Sequence, residues 1–391
     1  MTRVYLDHNA TTPPHPEVVG EMMRVLEGCF GNPNSVHREG TEARYVLEKA
    51  RRTILRAINA RKGDRLIFTG SASEADNLAL RGALKALGRG GEVPLLAISA
   101  VEHKAVLEPA RALEQEGAAR LKILDVDEFG RVASNGFRSL QGGQPAVVSV
   151  NLANSELGGI EPLADHVRAI RGAAGEHPVL IHTDAAQALG RIPVDVQALG
   201  VDIATFNAHK TYGPKGIGAL YLRKGVQLAP LILGGGQEEG LRAGTEDPSH
   251  AAGFARAVEV SLEALPEETQ RLEDLREQLW RQIAHAFGEL IVRNSTHINC
   301  LPGTLSFSIP GHESRSLVRE LDARGFAVSA GSACSSGGGT EISHVLLAAG
   351  AGEERARAAL RVSLGRSNTG EDVSRFTEAL QEIVGSSVRQ P

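Results

Sequence analysis

Between Arg65 and Tyr221 the chain alternates short β-rich runs with amphipathic helical stretches, and few folds bury both kinds of element at that spacing. The predicted strands are 65–69, 95–99, 146–150, 179–183, 202–206 and 216–222. Between them lie segments such as EADNLALRGALKAL and HKAVLEPARALEQEG, whose Leu, Ala and Val recur at three- and four-residue spacing. Strands joined through helices line up in parallel with helices on both faces, so the expected class is α/β with a mainly parallel sheet. After the Gly-rich stretch LGGGQEEGLRAGTEDP the rhythm changes, and a long helical region from 248 to about 290 reads as a connector. Beyond it TLSFSI, a helix around 313–324, FAVSA, a Gly/Ser-rich loop, ALRVSL and a final helix predict a second, smaller α/β unit.

Charge and cysteine usage narrow the function. Lys and Arg total 42 against 47 Asp and Glu, a net charge of -5, so no global positive field draws in nucleic acid or an anionic membrane. A small-molecule substrate is the better expectation. Three cysteines in 391 residues do not make a disulfide framework, and a reducing, cytoplasmic compartment is expected. The opening MTRVYLDHNATTPP lacks the apolar core of a signal peptide, and no run of about 18 apolar residues follows, so no membrane association is expected.

Several segments carry residues suited to chemistry. FTGSASEADNLAL reads as a strand running into a helix whose start is marked by Ser71 and Glu74, three apart as in a capping box. Free N–H groups there, with the Ser71 and Ser73 hydroxyls, suit a phosphate, although a plain capped helix has the same signature. VLIHTDAAQALG delivers Asp184 at the carboxyl end of an apolar strand, where open α/β sheets bind ligands, with Gln187 three residues on. Such an Asp needs a partner, and a protonated heterocyclic nitrogen, an Arg or a helix N-terminus would serve. DIATFNAHKTYGPKGIGALYL places His209 and Lys210 just after another strand, where desolvation makes a lysine a candidate Schiff-base amine. Lys215 in the following Gly/Pro loop is the rival, and a solvated surface position is the ordinary alternative for either. His103, after the strand LLAIS, suits stacking on an aromatic ligand, proton transfer or a structural hydrogen bond. Cys334 sits among small polar residues in SAGSACSSGGGTEISH, where Gly337 to Gly339 predict a mobile loop able to carry a thiolate; a merely exposed thiol is the alternative. Cys29 and Cys300 read as ordinary small hydrophobes. Arg361, on a predicted strand, and Arg242, in LRAGTED, are placed to fork onto a carboxylate of a substrate or of the protein itself. The scattered His and Cys show no metal-ligand spacing, and no metal is expected. A phosphate-suited helix start, a strand-end Asp, a strand-end Lys and a ring-stacking His together suit pyridoxal phosphate.

At this point the residues resemble a known family. YLDHNATTP, FGNPNSVH, EHKAVLEP, HTDAAQALG, AHKTYGPKGIGALY, GGGQEEGLRAGTED, SAGSAC and LRVSLGR are similar, in order, to the NifS/IscS-like cysteine desulfurases, class V members of the fold-type I pyridoxal-phosphate enzymes. The resemblance implies a large domain with a mainly parallel sheet and a smaller C-terminal α/β domain. Residues 16–262 are expected to form the large cofactor-binding domain, and 1–15 with 263–391 the small domain that carries the catalytic cysteine loop. It further implies that Lys210 carries the cofactor as a Schiff base, Asp184 pairs with its pyridine nitrogen, Gln187 contacts its ring hydroxyl and His103 stacks on the ring. Ala72, Ser73 and His209 would hold the phosphate, with Asn207 standing where the family usually has a serine donor. Ser155 stands where the family usually has the second Asn of NNE. Thr245 matches a residue that reaches the phosphate of the neighbouring subunit, which implies a homodimer. Arg361 matches the substrate-carboxylate clamp, and Cys334 the nucleophile of the long-loop subgroup. The chain ends at Pro391 without the tail with which housekeeping members engage an iron–sulfur scaffold, so scaffold partnership is not implied.

The expected activity is therefore cysteine desulfuration: L-cysteine to L-alanine, with the sulfur left as a persulfide on Cys334 and passed to an acceptor protein serving iron–sulfur clusters, thiolated tRNA or another thio-cofactor. A selenocysteine lyase or class V aminotransferase would use the same cofactor site, and a catalytically silent, partner-binding homologue is the alternative outside enzymes.

Overall fold

The computed structural model describes residues 3–88, 91–133, 136–137, 140, 144–331 and 342–387. Cys334 and Gly337 to Gly339 lie outside the described residues.

The alternating region folds as expected, into a seven-stranded sheet ordered Arg65–Thr69, Gly218–Leu222, Ile203–Asn207, Val179–Asp184, Ala146–Ser149, Leu95–Ser99, Arg120–Leu124. Every neighbouring pair is parallel except those made by Gly218–Leu222, which runs antiparallel to both its neighbours. The segment between Asn207 and Gly218 is too short for the crossover a parallel return requires, so the chain doubles back. Arg120–Leu124 was not among the predicted strands. It is an edge strand whose Arg120 and Lys122 are exposed, and charged edge residues that discourage further pairing also hide the apolar alternation.

Helices cover both faces. Ala72–Leu87 and Lys104–Gln115 bury Leu78, Leu80, Val106 and Leu107 against Leu96, Ile98 and Leu220. Arg38–Ala57, Leu163–Ala174 and Pro248–Glu263 close the other face through Leu47, Ile54, Val167, Ile170 and Phe254. The predicted connector is two helices, Pro248–Glu263 and Leu265–Phe287, meeting at Ala264. Pro266 explains the break, because proline has no N–H to donate and clashes with the preceding turn, but is well accommodated in the first turn of a new helix. The first helix packs on Pro16–Gly28 and Arg38–Ala57, the second on the C-terminal helix Gly370–Ser387.

A separate core of Leu279, Ile283, Leu305, Phe307, Leu321, Phe376 and Leu380 lies under a second, antiparallel sheet ordered Ser329–Ala330, Ala359–Ser363, Thr304–Ser308, Val292–Arg293. The chain start joins it: Val4 and Leu6 are buried in this core, and Val4–Tyr5 pairs in parallel with Phe326–Ala327. No helix of the described residues is long and apolar enough to cross a membrane.

Candidate active site

A cavity of about 230 Å³ opens at the carboxyl ends of the parallel strands, and Ala72, Ser73, His103, Ser155, Asp184, Gln187, Asn207, His209 and Lys210 all line it. Residues that the sequence spreads over about 140 positions meet there because each follows the same end of a neighbouring strand.

One end of the cavity is suited to an anion. Ser71 caps the helix Ala72–Leu87 by accepting from Glu74 N at 3.1 Å, and Glu74 returns a carboxylate oxygen to Gly70 N at 2.8 Å. The helix start is held from behind by Gly218, where a Cβ would fall 2.5 Å from the Ser71 backbone; any larger residue would push the turn into the cavity. The N–H groups of the first helical turn have no partner within the helix, and Ala72 and Ser73 present them beside the Ser73 hydroxyl, Asn207 and His209. His209 is oriented from the N-terminal segment: its Nδ1 lies 3.0 Å from Thr11 Oγ1 and its carbonyl accepts from Thr12 N at 2.9 Å. Burial, then the charge of Lys210, lowers its pKa to about 4, so the ring is neutral near pH 7. Arg242 is engaged with Glu74, Nε to Oε1 at 2.9 Å, so it is a structural partner of the capping residue.

The middle of the cavity holds Asp184, which accepts from Ala186 N at 2.9 Å. Two fully buried acids stand near it. Burial first, then the negative charge of Asp184, pushes the pKa values of Asp76 and Glu102 well above the ordinary carboxylate value. His182 is buried behind them, with Nδ1 2.9 Å from Ser149 Oγ and Nε2 3.1 Å from Thr205 Oγ1 and 3.5 Å from Asp76 Oδ1; burial lowers its pKa to about 4.

His103 and Lys210 complete the wall. His103 caps the helix Lys104–Gln115, its Nδ1 accepting from Ala105 N at 3.1 Å, which leaves the ring hydrogen on Nε2; burial and then the Lys210 charge lower its pKa. Lys210 lines the cavity whereas Lys215 is exposed, which separates the two candidate lysines.

Other predicted residues lie elsewhere. Arg361 is buried on its strand, donating from Nη2 to Asp7 Oδ1 at 2.8 Å and from Nη1 to the Ser155 carbonyl at 3.1 Å, while its Nε has no partner among the described residues. Ser155 thus contributes its main chain as well as its place in the wall. Thr245 is exposed in a separate depression of about 200 Å³ with Arg242, Asp247 and His250. Cys300 is buried and its thiol is pushed up to about 11, and Cys29 lies on a surface groove away from the cavity. Sequence reasoning missed Asp76 and Asn151 in the cavity wall. Asp76 had a signal: it stands four residues after Ala72, on the same helix face one turn in from the cap.

The donor set fits pyridoxal phosphate: a helix start suited to an anion, a carboxylate for a protonated ring nitrogen, an imidazole, an amide and a primary amine in one cleft, with Asn151 Oδ1 buried and without a partner among the described residues. Comparison with known proteins points the same way. The family model for aminotransferase class-V matches residues 4–376. Cysteine desulfurase IscS of Dictyoglomus turgidum is 40% identical over 381 residues, 97% of this chain and 94% of that protein. A solved structure titled NifS-like protein superposes with a TM-score of 0.90 at 36% identity, covering 98% of this chain and 100% of the other. A second, titled SspA in complex with cysteine, does so with a TM-score of 0.76 at 32% identity over 93% and 99%. The chain belongs to the class-V aminotransferase family of pyridoxal-phosphate enzymes and, within it, to the cysteine desulfurases.

Proposed function

We propose that this protein removes sulfur from L-cysteine, releasing L-alanine and leaving the sulfur as a persulfide on Cys334. The observation that carries the reading is the convergence of Ser73, His103, Asp184 and Lys210 in one cleft, in a chain related over nearly its whole length to cysteine desulfurases. When bound, pyridoxal phosphate supplies an electron-withdrawing ring conjugated to the substrate's Cα, which eases loss of the Cα proton and cleavage of the bond to sulfur.

Each residue has a part that its placement supports. Ser73, Asn207, His209 and the N–H groups of Ala72 and Ser73 would hold the phosphate, and Asp184 would keep a proton on the ring nitrogen. His103 would lie against the ring and Gln187 would donate to its oxygen. Lys210 Nζ takes the Cα proton. Arg361 offers its unpartnered Nε–H to the substrate carboxylate, its Nη groups being held by Asp7 and Ser155. The Cys334 thiolate forms the S–S bond as the C–S bond breaks; the electron pair goes to the three-carbon fragment, which takes up a proton at Cβ and leaves as alanine. The burial of Cys300 and the distance of Cys29 from the cleft favour Cys334 in this role.

Three further features belong to the proposal. A homodimer is supported by Thr245, which is exposed in a depression separate from its own cavity, and by the exposed Phe30, Val36, Tyr45 and Leu233. Division into 16–262 and 1–15 with 263–391 is supported by the separate apolar cores. A cytoplasmic setting, with a protein as sulfur acceptor, is supported by the low cysteine count.

The test is mass spectrometry of the wild type and Cys334→Ser after incubation with L-cysteine. Added sulfur on the peptide containing position 334 of the wild type is expected, and none on the variant. Equal alanine release by both proteins, or sulfur on Cys29 or Cys300, overturns the mechanism.

A further inference from the structure

Behind the cleft lies a cation that the reaction does not use. Arg191 is largely buried and, among the described residues, has no carboxylate partner. Its guanidinium instead donates to four oxygens: Nη2 to the His8 carbonyl at 2.6 Å, Nη1 to Asn9 Oδ1 at 2.5 Å and to Gln187 Oε1 at 2.9 Å, and Nε to the Lys210 carbonyl at 3.2 Å. A cation taken from water without a counter-ion is costly, so an arrangement that keeps one calls for a reason.

The reason lies in Gln187. A guanidinium only donates, so the contact with Arg191 settles which way the Gln187 amide faces: Oε1 toward Arg191, Nε2 toward the cleft side. One hydrogen of Nε2 goes to the Asn9 carbonyl at 3.0 Å. The other has no partner among the described residues, and Gln187 lines the cavity. We propose that Arg191 is a positioning residue that fixes Gln187 as a hydrogen-bond donor to the cleft and anchors the Lys210 main chain, so that the site selects a ring oxygen that accepts, in its anionic form, over one that donates.

The groups around Arg191 do not compete for this role. His8 and His209 are both lowered to about 4, by burial first, and are neutral near pH 7. Tyr5 and Tyr212 are raised, also by burial first, and stay protonated. Arg361, another cation nearby, is tied to Asp7. These four groups therefore keep their charge between about pH 6 and 9, and a titration seen there does not come from them.

This inference rests on the pyridoxal-phosphate reading, and the experiment separates the two. Binding of pyridoxal phosphate and of its analogue lacking the ring hydroxyl is measured by fluorescence quenching on the wild type, Arg191→Met, Arg191→Lys and Gln187→Glu, with the pH dependence of the bound cofactor's absorption recorded alongside. A wild type that binds neither compound overturns the cofactor reading itself. Otherwise the wild type is expected to prefer pyridoxal phosphate to the analogue, and Arg191→Met to lose about tenfold in that preference while binding the analogue as the wild type does. Its absorption titration is expected to move up by about one pH unit, the same tenfold seen from the proton. Arg191→Lys retains a donor and a charge and is expected to recover part of both. In Gln187→Glu the new carboxylate turns to Arg191 and no amide hydrogen remains for the cleft, so the preference is expected to fall even if Arg191→Met does not fold. Equal weakening toward both compounds, or an unmoved titration in both Arg191→Met and Gln187→Glu, overturns the proposal.

Discussion

Lys210 and Lys215 stand five positions apart, yet the structure sends one into the cleft and the other into solvent. Lys210→Ala is therefore expected to abolish covalent attachment of pyridoxal phosphate, read as borohydride-fixed mass on its peptide, and Lys215→Ala to leave it intact. The reverse result would show that the wrong lysine has been chosen. Asp184→Asn removes the charge that keeps a ring nitrogen protonated but leaves the phosphate contacts, so it is expected to retain cofactor and lose turnover by about 100-fold or more in an alanine-release assay. Glu156 carries a pH prediction. Burial raises its pKa to about 7, although the Ser343 hydroxyl donates to it and Arg361 and Lys104 are near. Because the folded protein binds this proton more tightly than the unfolded chain does, the group's contribution is most favourable below about pH 4.5 and is lost as pH rises through about 7. The loss is at most about 3 kcal/mol. In Glu156→Gln the decline of stability between pH 5 and pH 8, measured by urea titration, is expected to be shallower than in the wild type, and an identical slope would rule the assignment out. None of this was legible for Glu156, since a carboxylate's burial depends on what the fold stacks over it.

At the scale of elements, the strands and their order of function were largely written in the local pattern. The predicted runs 65–69 and 95–99 coincide with the strands found, and the others shift by one or two residues at their ends. The Gly-rich stretch that follows gave a break in the rhythm and the candidates Arg242 and Thr245, and the structure shows how it is held. Glu238 and Glu239 take up left-handed conformations, φ 46° and 58°, which non-glycine residues rarely adopt. The buried Glu238 carboxylate is gripped by both terminal nitrogens of Arg51, at 2.8 and 2.9 Å, and by Phe68 N at 2.8 Å. That clamp sets the course of the segment toward Thr245. Arg51→Met leaves the carboxylate buried and unpaired and is expected to destabilise the fold by roughly 3–5 kcal/mol in chemical denaturation, and Arg51→Met with Glu238→Gln to recover part of the loss. If the double variant is no better than the single one, the clamp is not the reason. A pairing across nearly two hundred residues leaves no trace in local periodicity.

For the whole molecule the testable matter is assembly. Phe30, Val36 and Leu233 are 84%, 95% and 80% exposed, large apolar side chains that the proposed second copy of the chain would cover. Sedimentation of the wild type is expected to give a dimer, and Phe30→Asp with Leu233→Asp a monomer with weakened cofactor binding, since the proposed contact of Thr245 with the neighbouring phosphate would be lost. A monomeric wild type would refute the pairing. The sequence by itself determined the α/β class, the strand-end placement of Asp184 and Lys210, the capped helix start at Ser71 and the kinship to the desulfurases, because periodicity, capping and ordered motifs act over a few residues at a time. Only the tertiary structure decided that Arg361 pairs with Asp7, that Arg242 serves Glu74, that Asp76 shares the cleft with Asp184 while Glu102 is buried near it, and that Arg191 stands behind Gln187 with no counter-ion among the described residues. Those outcomes depend on burial and on partners far apart in the chain. Desolvation and hydrogen-bond geometry exist only once the sheet has brought the strand ends together.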